Sequence, residues 1–228
     1  MFSLNCNGRL VNLDQPKIMG ILNVTPDSFF DGGQFENIEL LVQQATKLLN
    51  EGADFLDIGG ASSKPGAIPV PEKEELQRVL PAIQAVLDKH PDAIVSIDTT
   101  RSRVATEAVK AGAMLVNDIS AGNSDPNMLE VVGDLGVPYI AMHMQGTPQN
   151  MQNNPQYKNV WIEIQRSLAQ TIEKAYSKGI HDVIIDPGFG FGKTVYHNFE
   201  LLKHLEEFRH LNTPIIVGLS RKSMIQRV

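Results

Sequence analysis

The amino-acid sequence predicts an α/β fold, a (β/α)8 TIM barrel, and three observations carry that prediction. Short apolar, β-branched runs alternate with longer segments of helical periodicity, the pattern of parallel strands covered on both faces. The alternation recurs at roughly 30 to 45 residues, the scale of one strand–helix–strand unit. Polar and glycine residues gather just after nearly every run, at Asn23, Asp57 to Gly60, Asp98, Asn117 and Asp118, His143, Asp186, and Ser220 to Lys222. In a barrel all these strand ends open on one mouth. An open doubly wound sheet would concentrate ligands at a single switch point instead.

Runs 18–24, 54–58, 93–97, 114–117, 138–142, 182–185 and 214–218 read as strands. Each is too short for a helix and is bounded by polar, glycine or proline residues. Between them, residues 38–51, 73–89, 101–111, 128–135, 157–177 and 198–209 read as helices. Four of these stop at a glycine, Gly52, Gly112, Gly136 or Gly179, the residue that most easily takes the left-handed turn at a helix end. No linker, low-complexity stretch or charged tail divides the chain, so residues 1–228 read as one domain. Seven strands and six complete helices leave the barrel incomplete at its C-terminal end, with the eighth strand missing.

Composition narrows the function classes. The 26 acidic and 20 basic residues give a formal charge of −6, which argues against general affinity for nucleic acid or an anionic membrane. Basic residues that line a site are then local anion binders. No run approaches the ~18 apolar residues of a membrane span, and the N-terminus lacks the design of a signal peptide. The single cysteine, Cys6, cannot form an internal disulfide, and the expected compartment is a reducing cytoplasm.

The strand ends suggest a chemistry. A carboxylate accepts two adjacent N–H groups, while an amide both donates and accepts. Asp98, Asn117 and Asp186 could therefore read the 2-amino-4-oxo edge of a flat heteroaromatic ring. For Asp98 the competing role is capping the helix that follows. The segment from Asp186 to Thr194 imitates a phosphate loop but has Pro187 where that motif needs glycine. It reads better as a flexible wall carrying Phe189 and Phe191, each of which either covers an aromatic ligand or packs in the core. Ser220 to Ser223 place two cations and two hydroxyls at a strand end, suited to an anionic substrate. The donor-rich loop from Gly59 to Gly66, and the loop from Asn23 to Gly33 with Asp27 and Asp31, are candidate lids. His143 has no second histidine at metal-ligand spacing and reads as structural.

Taken together, seven segments resemble the bacterial dihydropteroate synthase family. They are Met19 to Phe29, Asp57 to Gly60, Ile97 to Thr99, Val116 to Asp118, Met142 to Gly146, Asp186 to Lys193 and Gly218 to Ser223, in the family's order across nearly the whole chain. The resemblance implies a barrel that joins 4-aminobenzoate to 6-hydroxymethyl-7,8-dihydropterin diphosphate, releasing diphosphate and making 7,8-dihydropteroate for folate synthesis. It implies Mg2+ as cofactor, sulfonamides as inhibitors, and a homodimer at full length. By position, Asp98, Asn117, Asp186 and Lys222 would bind the pterin, with Phe191 beside the ring. Asn23 would help hold diphosphate and its Mg2+. Ser63 and Lys64 stand where the family usually has Thr and Arg, and Pro65 would line the aminobenzoate pocket. Asp31 would order the closed site, and Ser223 would lie near the aminobenzoate carboxylate. Asp98, Lys222 and Asp31 form the implied catalytic set, with Asp98 stabilising a methylene cation as diphosphate departs. The family's eighth strand carries an Arg-x-His motif, expected beyond Val228. Two other readings stand beside this one: a pterin-binding barrel of the methyltransferase type, and an inactive chain that only binds pterin.

Overall fold

The computed structural model describes residues 2–24, 34–220 and 222–226, with the side chains of residues 34–37, 223 and 226 outside that description. The chain opens with an antiparallel hairpin of β1 (Ser3–Cys6) and β2 (Arg9–Asn12), which the run of strands read from sequence had not included. Its turn is Asn7-Gly8, both residues at positive φ (52° and 86°). That is the geometry in which a two-residue turn matches strand twist, and Asn-Gly is its preferred pair. The hairpin buries Leu4 and Cys6 against Phe55, Ile94, Leu115, Ile140 and Ile184 at the starts of the following strands. Asn5 N donates to Asp182 Oδ2 (2.7 Å) and Arg9 Nη1 donates to Asp92 O (2.6 Å), pinning the plug in place. Burial pushes the Cys6 thiol up to about 11, so it stays protonated and unreactive.

Six parallel strands follow, each hydrogen-bonded to the next in sequence order: β3 (Met19–Asn23), β4 (Phe55–Gly59), β5 (Ile94–Asp98), β6 (Leu115–Asp118), β7 (Tyr139–Met142) and β8 (Val183–Asp186). The helices are α1 (Gln34–Asn50), α2 (Glu72–Lys89), α3 (Ser102–Lys110), α4 (Met128–Leu135), α5 (Val160–Ser177), α6 (Val195–Lys203) and the short α7 (Ser223–Gln226). Their apolar faces cover the sheet. Val79, Ala82, Ile83 and Val86 of α2, for example, are buried in one cluster with Ile58, Val95 and Ile97 of the strands.

Two expectations need correction. The run 214–218 makes only one parallel bridge, Ile185 to Ile215, so six parallel strands stand where seven were expected, and among the described residues the barrel does not close. Pro214 has no N–H to give, and Gly218 ends the run, leaving three apolar residues to pair. The sixth helix begins at Val195 rather than 198. Thr194 caps it, its side chain accepting from His197 N (3.1 Å) while His197 Nδ1 accepts from Thr194 N (3.3 Å). That helix ends at Lys203, and residues Leu205–Leu211 continue as a 3-10 turn.

The register fixes where chemistry can occur. Asn23 pairs with Gly59, Gly59 with Asp98, and Asp98 with Asn117, so four neighbouring strands end in one row. Asp186 ends β8 opposite Met142. This row lies at the end of the sheet away from the hairpin.

Candidate active site

Asp98, Asn117, Asp186, Phe191 and Lys222 are all part-exposed, as groups facing an open mouth must be. Beneath them lies Asp57, buried within β4. Asn117 Nδ2 donates to Asp57 Oδ2 (2.8 Å), which orients the amide and leaves its oxygen free to accept from a ligand. Asp57 Oδ1 and Ser96 Oγ are both buried, and among the described residues neither makes a well-formed hydrogen bond, which leaves the hydroxyl near Asp57 as a weak donor at most. Burial raises the Asp57 carboxyl, and Ser96 and Asn117 oppose the shift. Asp98 is raised further: burial is the first cause, and the negative charges of Asp57, Asp118 and Glu75 add to it. The site is thus a pocket of crowded carboxyl groups that welcomes N–H donors or positive charge. Asp118 belongs to the scaffold. Its oxygens accept from Ser120 N, Ser120 Oγ and Gly122 N (2.7 Å each) and from Tyr139 OH (2.8 Å).

Across the mouth, Asp186 Oδ1 accepts from Gly188 N (2.7 Å). Burial raises this carboxyl to about 6, against the opposing pull of Lys193 and Lys222. Lys222 Nζ lies 4.2 Å from the Phe191 ring centroid, a cation over an aromatic face. Its stem packs on Gly190, where a Cβ would come within 3.1 Å of Lys222 Cδ. Asp186, Phe191 and Lys222 are therefore brought together. Phe189 is not part of the mouth: it is 1% exposed and belongs to the core. Asp98 does not cap α3, whose N-cap position is Arg101.

Lys193 was not singled out from sequence, yet it organises this wall. It is 3% exposed, and its Nζ contacts Gly188 O (2.8 Å), Phe191 O (2.9 Å), His143 O (3.3 Å) and His143 Nδ1 (3.2 Å). Burial lowers its ammonium to about 7, which Asp186 resists and Lys222 favours. His143 is lowered to about 3, chiefly by burial, and so is a neutral acceptor. The signal in the sequence is the Gly192-Lys193 pair that closes the glycine-rich turn.

The loop after β4 carries Ser63, part-exposed, and Lys64 and Pro65, both exposed. It rests on a neighbouring loop through Gly66 N to Pro148 O (3.0 Å) and Gln149 Nε2 to Ala67 O (3.3 Å). Beside it opens a cavity of about 340 Å³ whose walls include Ser62, Ser63, Asp98, Arg101, Ser120 and Gln149. Asp98 thus borders both this cavity and the row of strand ends. Asn117, Asp186, Phe191 and Lys222 do not line the cavity. Asn23 ends β3, exposed. Asp31 lies outside the described residues, and Ser223 opens α7 with its side chain outside the description.

Residues 19–228 match the family of pterin-binding enzymes. The chain is 44% identical over 224 residues to the dihydropteroate synthase of Escherichia coli, covering 97% of this chain and 79% of that one. It is 45% identical over 227 residues to the dihydropteroate synthase of Haemophilus influenzae, covering 99% and 82%. The chain belongs to the dihydropteroate synthase family of pterin-binding enzymes. The dihydropteroate synthase of Xanthomonas albilineans, solved with 4-aminobenzoic acid, superimposes at a TM-score of 0.91 with 44% identity, covering 99% of this chain and 80% of that one. Family membership brings the TIM-barrel fold and a transferase activity, the synthesis of dihydropteroate in folate biosynthesis. In a TIM barrel the active site lies at the C-terminal ends of the strands, which is where this row stands. Asp57 and Lys193 enter the site as supports: one orients Asn117, the other ties the Phe191 loop to β7.

Proposed function

We propose that the chain breaks the bond between the methylene carbon and the diphosphate oxygen of 6-hydroxymethyl-7,8-dihydropterin diphosphate and bonds that carbon to the amino nitrogen of 4-aminobenzoate. Diphosphate leaves with the bonding pair, and the amine loses a proton to solvent. Asp98 and Asn117 hold the pterin edge from one side, Asp186 and Lys222 bind it from the other, and Phe191 packs against the ring. The observation that carries this reading is the row of strand ends, with Asp98 and Asn117 paired in register on β5 and β6, Asp186 closing β8, and Lys222 lying over the Phe191 ring. Positive charge grows on the methylene carbon as diphosphate departs. The carboxyl groups around Asp98, already crowded, stabilise that charge more than they stabilise the neutral substrate. No nucleophile–base pair is needed, because the amine attacks a cation.

Ser63, Lys64 and Pro65 are assigned to the aminobenzoate and diphosphate side, with Ser223 near the aminobenzoate carboxylate and Asp31 closing the site. Among the described residues no group of three His, Cys, Asp or Glu side chains could hold a metal ion. Mg2+ needs less: it keeps most of its waters and leans on substrate phosphates. The exposed amide oxygen of Asn23 at the mouth fits as its one protein ligand. When bound, the ion supplies charge neutralisation to the departing diphosphate. A cytoplasmic homodimer completes the proposal. The dimer is supported by Tyr196 and Phe199, exposed at 69% and 40% on α6.

Diphosphate release tests the function. The protein supplied with the pterin diphosphate is expected to release diphosphate only when 4-aminobenzoate is present, one dihydropteroate per diphosphate. Methyl transfer from a methylated folate to a corrinoid, without this release, would favour the methyltransferase-type barrel. Asp98→Asn is expected to lower kcat by about 100-fold or more, the scale for removing one group aimed at developing charge. Lys64→Arg restores a two-pronged anion grip and is expected to lower KM for the substrates; equal KM values in the two proteins would remove Lys64 from the anion site.

A further inference from the structure

The loop that carries Ser63, Lys64 and Pro65 is held at both ends by arginines that the reaction itself does not use. At its start, Arg78 Nη1 donates to Gly60 O (2.8 Å). At its end, Arg101 Nη2 donates to Val70 O, and the same guanidinium pairs through Nη1 with Glu75 Oε2. Glu75 lies on α2 with its side chain only 3% exposed. Its other oxygen accepts from Thr99 Oγ1 (2.6 Å), and Thr99 N donates to Asn117 O (3.0 Å). One buried carboxylate thus joins three elements: the end of the loop, helix α2, and the turn just after Asp98 that borders Asn117. Val70, Glu75, Asp98, Thr99 and Arg101 all line the 340 Å³ cavity beside Ser63.

An ion pair with its carboxylate buried and its guanidinium part-exposed, as here, is a poor way to gain stability, since apolar groups of similar shape commonly serve as well. It is a good way to fix geometry, because the guanidinium fork and the carboxylate accept only a narrow range of positions. We propose that Glu75 and Arg101 are a positioning pair for the second substrate, holding the 60–71 loop at a fixed height over the turn that carries Asp98. The inference rests on the aminobenzoate part of the proposed function, in which Ser63, Lys64 and Pro65 border the aminobenzoate, while the pterin diphosphate is held mainly by strand-end groups that this loop does not carry. Arg101 touches no substrate in this account; it acts through Val70 and the loop.

The test is kinetic and is made in the whole protein. Removing both charges together, in Glu75→Gln/Arg101→Met, avoids leaving a lone buried charge. The double variant is expected to raise KM for 4-aminobenzoate about tenfold and leave KM for the pterin diphosphate within about twofold. Amide hydrogen exchange is expected to quicken in residues 61–70 and stay unchanged in β4 and β5. Arg101→Lys, which keeps the charge and one contact, should fall between the double variant and the parent on both readouts. Equal losses for both substrates, or a lowered melting temperature with no selective change in KM or loop exchange, would reduce the pair to ordinary scaffolding and overturn the proposal. Lys64→Ala separates the two claims. If it raises KM for 4-aminobenzoate while the double variant does not, positioning fails; if Lys64→Ala changes nothing, the loop assignment itself fails.

Discussion

Asp186 shows how a binding site is assembled at the expense of the empty fold. Its carboxyl sits at about 6 rather than 3.8, chiefly through burial. A carboxyl raised in the fold favours the folded state most below its unfolded pKa, and that contribution is lost as pH climbs through about 6. The ionised Asp186 therefore costs the ligand-free protein on the order of 1–3 kcal/mol at neutral pH. Asp186→Asn is expected to raise the melting temperature at pH 7, and the gap from the parent protein should shrink as pH falls from about 7 to about 4. A gap independent of pH would mean that Asp186 carries no such strain. Gly188 makes the opposite point, a residue chosen for space. Its φ is +72°, and a Cβ there would stand 1.9 Å from His143 O. Gly188→Ala must move β7 or the Phe191 wall, and is expected to cost more than the 1 kcal/mol or so usual for a left-handed glycine, with pterin binding lost alongside. Such roles were partly legible. Asp98, Asn117, Asp186 and Lys222 could be placed at the mouth from strand ends and motif order, whereas Asp57 and Lys193 stand in the same motifs without any sign in sequence of what they support. A buried supporting group announces itself only through the partners it meets in three dimensions.

Among the elements, the strands were easiest to read. Six of the seven runs form parallel strands within a residue or two of their expected bounds, because β-branched runs flanked by polar residues have few alternatives. The seventh shows the limit: propensity can nominate a strand, but pairing depends on a neighbour and on N–H groups that proline lacks. The hairpin shows the converse. Its strands are only four residues each, too short for periodicity to declare itself, and the signal lay in Asn7-Gly8. Since the hairpin plugs the end of the barrel away from the mouth, Gly8→Ala separates stability from function. At φ +86° the substitution should cost about 1 kcal/mol, read as a lower melting temperature. The kinetic constants should not change, and a changed KM would mean that the plug communicates with the site.

At the scale of the whole molecule, the consecutive order of β3 to β8 makes the site. Each crossover returns the chain to the same end of the sheet, so residues as far apart in sequence as Asn23, Asp98 and Asn117 finish in one row. The net charge of −6 gives no hint of this, and argues only against a general affinity for polyanions. Carboxyl groups dominate one side of the mouth, and Asp186 stands with Lys222 and Phe191 at the other. The central claim is that this row reads the amino-pyrimidine edge of a pterin. It is tested most directly by equilibrium binding of a dihydropterin and of its analogue lacking the 2-amino group, to the parent protein and to Asp186→Asn. The parent is expected to bind the dihydropterin at least about tenfold more tightly than the analogue, because the analogue leaves a buried acceptor unpaired. Asp186→Asn should erase most of that preference. Equal binding of the two ligands by the parent, or an undiminished preference in Asp186→Asn, would contradict the account.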